Sequence, residues 1–240
     1  WGQSFATDGA GSEGINFIFP GTVFATSPGA KRIQKGLNPG QPKHSGLEII
    51  EDAHFPEDWQ GSLVTCDFRG NRINRFVITD QGSGYAGKQV EDLIKTNHRS
   101  FRPVDLKMGP DGALYIADWY NPIIQHGEVD FRDPRRDHTH GRIWRISAKG
   151  RPVVARPKIA GASVDELFDH LASPEDWTRF FAKRELRERG AVSKEVQAQI
   201  DAAADQRIAG LDPQSEASAA LALELMWVNR LNDSPGFMRY

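Results

Sequence analysis

One cysteine in 240 residues sets the first limits on this chain. A lone Cys66 makes no internal disulfide, no thiolate metal cluster and no C-x-x-C-H haem attachment; its setting in SLVTCDF, a strand pattern, suits a small buried hydrophobe. Long apolar runs are missing too. Stretches such as IIEDAHF and ALALEL fall far short of the roughly 20 residues that cross a bilayer, so no membrane span is expected. No basic stretch leading into an apolar core stands near residue 1, and an export signal is expected only in sequence upstream. Nor is there a charge excess. Thirty basic against 32 acidic residues leave a net charge of −2, which gives no global field to draw the chain to nucleic acid or an anionic surface.

What is present is an ordinary globular composition, 39% apolar and 26% charged, which excludes disorder throughout. Within it lies a repeat. Gly2-QSFAT-Asp8, Gly61-SLVTC-Asp67 and Gly112-ALYIA-Asp118 each set an aspartate six residues after a glycine, with apolar or β-branched residues between. The second and third copies agree further as R-I-x-R-apolar, in Arg72 to Phe76 and Arg142 to Ile146. Short alternating segments, Gly46-LEII and Val104-DLKM, precede those two glycines, and Tyr85 to Ile94 is expected to form a fourth strand closing the second copy. Four short strands recurring at about 40 to 50 residues are the signature of propeller blades; hairpins of a sandwich are the alternative. Propellers need about four to eight blades, so residues 1–150 are expected to be the last three, with the others upstream.

The character of the chain changes after Gly150-Arg151-Pro152. Residues 151–162 read as a linker, and 163–240 as the start of an α-helical repeat segment. Ser163 and Ser173-Pro174-Glu175 look like helix N-caps and Asp212-Pro213 like a helix start. Helices are expected at about 163–172, 175–189, 193–209 and 213–231, with Phe180, Phe181 and Leu186 on the apolar face of the second. The run Arg184 to Arg189 reads as a solvated face with i,i+4 pairs.

In a propeller the innermost strand of each blade starts, and the second strand ends, on the same face of the ring. By that rule His44 and Arg102, ahead of first strands, and Asp8, Asp67, Arg69, Asn71, Asp118 and Asn121, behind second strands, share one mouth. The third copy adds an insertion there, YNPIIQHGEVDFRDPRRDHTH, and long loops in compact domains are often functional. It carries His126, Glu128, Asp130, Asp133, Asp137, His138 and His140, a set able to bind a metal, act as a base or grip a polar ligand. Asp67 and Asp118 have a second reading as turn caps that accept backbone amides. Arg72 and Arg142 read as strand or blade-to-blade residues.

The run FRPVDLKMGPDGALYIADWYNPIIQH, together with NPGQPKHSGLEI, DFRGNRINRF and HTHGRIWRI, resembles the membrane-bound dehydrogenase family named in planctomycetes and verrucomicrobia. The resemblance covers residues 1 to about 150, and ELFDHLASPEDWTRFFAKRELRERG resembles the HEAT-like repeats that follow there. It implies a six-bladed ring similar to soluble quinoprotein glucose and sorbosone dehydrogenases, with pyrroloquinoline quinone and calcium as cofactors. On that resemblance His44, in His44-Ser45-Gly46, would be the catalytic base. Arg69, Arg102, Asn121 and His126 would touch the cofactor, Asp67 and Asp118 would lie near the metal, and His138 and His140 are further loop candidates. A c-type cytochrome domain, absent from these residues, would take the electrons, and the setting would be periplasmic or in the cell envelope.

The expected function is therefore a fragment of a dehydrogenase acting on a sugar or alcohol, whose partners include the remaining blades and the haem domain. A non-catalytic propeller and HEAT-like module that binds carbohydrate or protein is the alternative. A calcium-dependent lactonase or esterase on the same propeller type is a third reading.

Overall fold

Alternation of apolar and polar residues folds the first part of the chain into antiparallel sheets. The computed structural model describes residues 3–7, 14–19, 44–125 and 128–231, with side chains to residue 228. Strands β1 (Ser4–Thr7) and β2 (Ile15–Ile18) pair with each other. The middle sheet is a meander of β3 (His44–Ile50), β4 (Ser62–Asp67), β5 (Arg72–Gln81) and β6 (Gly84–Gln89), and the two-residue β7 (Ile94–Lys95) also pairs with β5. The third sheet is β8 (Pro103–Met108), β9 (Leu114–Asp118) and β10 (Arg142–Ile146), with β10 at its edge.

The repeated glycines have a local reason. Gly61 and Gly112 have φ of +70° and +73°, a left-handed turn that L-residues adopt only at a cost of about 1–2 kcal/mol. Each turn leads into the second strand of its sheet. Gly46 has a different one: it sits at φ +61° where β3 bulges between Ser45 and Glu48. A Cβ there would lie 2.8 Å from the Asp105 carboxylate and 2.9 Å from its Cα, so only glycine lets β3 approach β8 this closely.

The fourth strand of the second copy differs from expectation. The strand over Tyr85 to Ile94 breaks after Gln89, because Asp92 turns inward to accept from the Asn74 amide at 2.7 Å and to face Arg72 at 3.5 Å. The chain returns to β5 only at Ile94.

The three sheets stack through their side chains. Ile15 of β2 packs with Leu63 and Phe76 of the middle sheet, joined by Phe5, Phe17, Ile49, Ile78 and Tyr85. On the opposite face Ile50, Val64, Cys66 and Ile73 meet Leu106, Met108, Leu114 and Ile116 of the third sheet. Each such side chain contributes about 1.5–3 kcal/mol when fully buried. Cys66 is wholly buried here, and burial, with the Asp105 charge adding to it, pushes its thiol well above the usual range. This sheet unit comprises residues 2–109 and 113–152. Its exit is tied down by His54, whose Nδ1 lies 2.7 Å from the Pro152 carbonyl and whose Nε2 accepts from the Ala148 amide at 2.9 Å. Arg151 donates to the carbonyls of His54 and Ala53.

The second unit, residues 153–240 with 110–112, contains helices α1 (Val164–His170), α2 (Asp176–Val192), α3 (Lys194–Ala209) and α4 (Glu216–Leu231). The division falls at residue 152/153, within the stretch read as a linker. Ser163 and Glu166 form a reciprocal capping box at 3.1 and 2.7 Å, and Ser193 caps α3. The fourth helix starts at Glu216 rather than 213, because Asp212 uses its carboxylate to cap a turn at Gln214 and Ser215 then takes the N-cap role. In α2 the buried stripe is Thr178, Ala182 and Leu186. Phe180, expected on that stripe, is 54% exposed, since the four-residue spacing of the buried positions passes it by. The charge run behaves as read, with Arg184–Glu188 and Arg189–Glu185 pairs at 2.7 Å. The described residues thus form antiparallel sheets and four helices; no helix among them is long and apolar enough to cross a membrane.

Candidate functional site

Sheet register brings most of the singled-out residues to one end of neighbouring sheets. His44 opens β3 directly opposite Asp67, the last residue of β4, and Pro103 opens β8 opposite Asp118, the last residue of β9. Between these two ends lies Arg102, 6% exposed. Its Nη1 donates to the carbonyls of Phe68 (2.7 Å) and Arg69 (3.4 Å), behind β4, and its Nε and Nη2 to those of Asn121 (3.0 Å) and Pro122 (3.5 Å), behind β9. Burial, with Arg99 nearby, lowers its affinity for the proton, and Asp118 opposes that; a guanidinium stays charged regardless. Asn71, at φ +54°, adds a second tie by donating to the Phe101 carbonyl at 2.7 Å.

The two aspartates hold turns together. Asp67 accepts from the Gly70 amide at 3.0 Å and from Arg72 Nε at 2.9 Å. Asp118 accepts from the Arg102 and Tyr120 amides at 2.8 and 2.9 Å, and from Trp144 Nε1 at 2.9 Å. Arg69, behind β4, is exposed.

His44 stands apart. Its ring is 3% exposed, with Nδ1 2.7 Å from Thr65 Oγ1 and the Phe76 ring edge-on at 5.8 Å. Thr65 and Asp67 lie on the same face of β4 as His44, because side chains alternate along a strand. The matching positions of the third sheet are Pro103 and Ile116, an apolar pair.

The insertion behind β9 contains no helix or strand among its described residues. Its aspartates each cap a turn: Asp130 accepts from the Arg132 amide, Asp133 from the amide and side chain of Arg135, and Asp137 from the Thr139 and His140 amides. Those donors hold the Asp137 carboxyl below the usual range, at about 2, with the Thr139 amide the largest cause, and the Arg135 side chain does the same for Asp133. Arg136 is the hub of the loop, buried and donating to the carbonyls of Gln125, Val129, Asp130 and Ile123. Asn121, also buried, fastens the two ends by accepting from the Ile123 amide and donating to the Asp137 carbonyl. His138 is exposed, and His140 pairs with Asp137 at 2.9 Å. Tyr120, at φ +52°, is stacked with His98, meets the edge of His140, and carries the Arg142 guanidinium 3.5 Å over its ring.

Two expected site residues, Asp8 and His126, lie outside the described residues. Among the described ones, no group of three or more His, Cys, Asp or Glu is placed to hold a metal ion. Sequence reasoning missed Thr65, Arg136 and His54. Thr65 becomes visible only once the β3–β4 register is known, and Arg136 looks like one more charge in an Arg-rich loop. His54 acts on residues almost a hundred positions away, beyond any local pattern.

Residues 20–150 match the family described as a domain of unknown function, DUF7133. The chain belongs to that family. The DUF7133 match takes in the middle and third sheets, His44, the Arg102 bridge and the whole insertion. Among solved structures, a Thermus thermophilus protein provisionally described as an oxidoreductase (glucose dehydrogenase) is similar at 20% identity and a TM-score of 0.38; the match covers 60% of this chain and 40% of that one. No curated protein matches the DUF7133 chain.

Proposed function

We propose that the sheet unit is part of a β-propeller whose mouth serves a sugar- or alcohol-oxidising enzyme, and that His44 takes the proton of the substrate hydroxyl. The observation that carries this reading is the His44–Thr65 pair. A polar, hydrogen-bonded imidazole and hydroxyl occupy positions that the neighbouring sheet fills with proline and isoleucine, and departures from a repeat's apolar pattern concentrate where chemistry is done. Thr65 fixes the ring, and the resemblance to membrane-bound dehydrogenases supplies the reaction class. Positioned bases of this kind contribute about 100- to 10,000-fold in rate.

The quinone and calcium implied by that resemblance do not find a set of contacts in the described residues. Calcium takes six to eight oxygen ligands, whereas the oxygens of Asp67 and Asp118 are engaged by protein donors and the Arg102 fork by carbonyls. On this reading the hydride acceptor and any c-type haem domain belong to parts of the protein other than the described residues.

The test is dye-coupled oxidation of a sugar and alcohol panel by a longer protein carrying the complete ring, with the quinone and calcium added. His44→Gln is expected to lower kcat about 100-fold or more, with KM and Tm little changed. Unchanged turnover in that variant would remove His44 from the reaction. The same engaged polar groups favour a second reading, a non-catalytic module for carbohydrate or protein. Calorimetric sugar binding without oxidation of any substrate would establish it in place of the first.

A further inference from the structure

We propose that Arg142, His140 and the ring of Tyr120 form a binding site for a hydroxylated carboxylate, in chemical class a sugar acid. The internal repeat explains how the Arg142 fork comes to face outward. Arg72 and Arg142 hold the same place, each directly opposite the aspartate that ends the second strand of its sheet, Asp67 and Asp118. In the middle sheet that arginine is neutralised, with Nε 2.9 Å from Asp67 and Nη1 3.5 Å from Asp92. In the third sheet Asp118 accepts instead from Trp144 Nε1 and from the Arg102 and Tyr120 amides, and Arg142 pairs with no carboxylate among the described residues.

The Arg142 guanidinium lies on aromatic faces instead, 3.5 Å over the Tyr120 ring and 5.9 Å from that of Trp144. Stacking occupies the faces of the planar group and leaves the N–H edge of its fork, which meets a carboxylate in a bidentate pair. His140 supplies the opposite hydrogen-bonding sense. Its Nδ1 lies 2.9 Å from Asp137 Oδ2, and that carboxyl, held down to about 2 by the Thr139 amide and its other donors, is ionised and can only accept. The proton therefore sits on Nδ1, and Nε2 of the neutral, exposed ring is left to accept from a hydroxyl.

Both groups border one ring. The His140 imidazole meets the edge of Tyr120 with centroids 6.3 Å apart, and His98 stacks on Tyr120 at 5.7 Å. Tyr120 itself is held at φ +52°, where a bulky residue is strained and asparagine is tolerated; such outliers cluster at ligand sites. A donor fork and an acceptor beside one aromatic face match a compact molecule that carries a carboxylate and hydroxyls. A neutral sugar satisfies only His140, and a bare carboxylate only Arg142. The binding does not depend on the oxidation proposed above.

The probe is glucuronate titrated into the whole chain, with glucose as the neutral control and acetate as the bare acid, followed by calorimetry and by the Arg142 Nε–H and His140 ring resonances. Saturable binding of glucuronate is expected, at least tenfold tighter than that of either control. Arg142→Gln should weaken it at least tenfold, and His140→Phe should bring it to the level of acetate. Tyr120→Asn removes the ring at a backbone angle that asparagine accepts, so Tm is expected to hold while affinity falls at least tenfold. No binding overturns the proposal, as would follow if a carboxylate from outside the described residues already filled the Arg142 fork. Acetate binding as tight as glucuronate binding, or glucuronate binding indifferent to Arg142→Gln, overturns it too. Glucuronate binding without turnover of any sugar or alcohol would keep this site and remove the enzyme reading; turnover that depends on His44 without glucuronate binding would do the reverse.

Discussion

The middle and third sheets are built on the same repeat, and they differ in what surrounds the repeated residues. In the middle sheet the aspartate pairs with the strand arginine, the edge is covered, and a His–Thr pair replaces apolar residues at the strand end. In the third sheet the aspartate pins a buried arginine bridge, a left-handed tyrosine and a tryptophan, and no fourth strand follows β10 among the described residues. Shared backbone turns therefore fix the frame, while the side chains next to them decide whether a copy is closed on itself or linked to its neighbours.

The largest contrast should appear at the arginines. Arg102→Leu leaves buried carbonyls in two loops without their donor and is expected to destabilise the sheet unit by about 3 kcal/mol. Arg72→Leu, at a half-buried pair, should cost about 1 kcal/mol. Urea unfolding measures both, and equal losses would mean that the bridge does not distinguish the sheets. Next come the aspartates. Asp118→Ala strands three donors and should cost about 2–3 kcal/mol, against about 1–2 for Asp67→Ala, which strands the Gly70 amide and Arg72 among the described residues.

Converting one sheet toward the other is a finer test. Thr65→Ile copies Ile116 into the middle sheet and removes the partner of His44 Nδ1. Stability is expected to change by about 1.5 kcal/mol or less, while any turnover that depends on His44 falls roughly tenfold with KM preserved. Turnover unaffected by Thr65→Ile would leave the threonine as packing alone. The smallest effect belongs to the insertion of the third sheet. The Asp137 carboxyl is held down to about 2, so the stabilisation of its turn is present above the ordinary carboxylate value near 4 and is lost as pH falls through about 2. The Thr139 and His140 amide resonances should report a midpoint near the lower value; a midpoint at the ordinary one would show that the cap does not form.

Local chemistry made much of this legible in the sequence. The second and third glycine-to-aspartate units stand out because each encodes a left-handed turn and a turn cap, both set by a few adjacent residues. Ser163 announced a helix start for the same reason. The placement of His44, Asp67, Arg102 and Asp118 at one end of the sheets followed from strand order. What stayed hidden depends on contacts remote in sequence. Nothing local marks Thr65 as the partner of His44, or Asp92 as the residue that breaks the fourth strand. Phe180 was misread because helical spacing fits several stripes, and packing chose the one through Ala182. The Asx turns of the insertion were readable as Asp-x-Arg and Asp-x-Thr, but the loop's histidines drew attention to ligands instead.

Cys66, closed between the middle and third sheets with its thiolate disfavoured, equips the protein with a built-in stopwatch. Because it is the one sulfhydryl in the chain, alkylation with an excess of reagent should proceed only as those sheets part, and its rate would count openings without any engineered label. Variants that loosen the Arg102 bridge should run that stopwatch faster, whereas changes confined to the four helices should leave it unmoved.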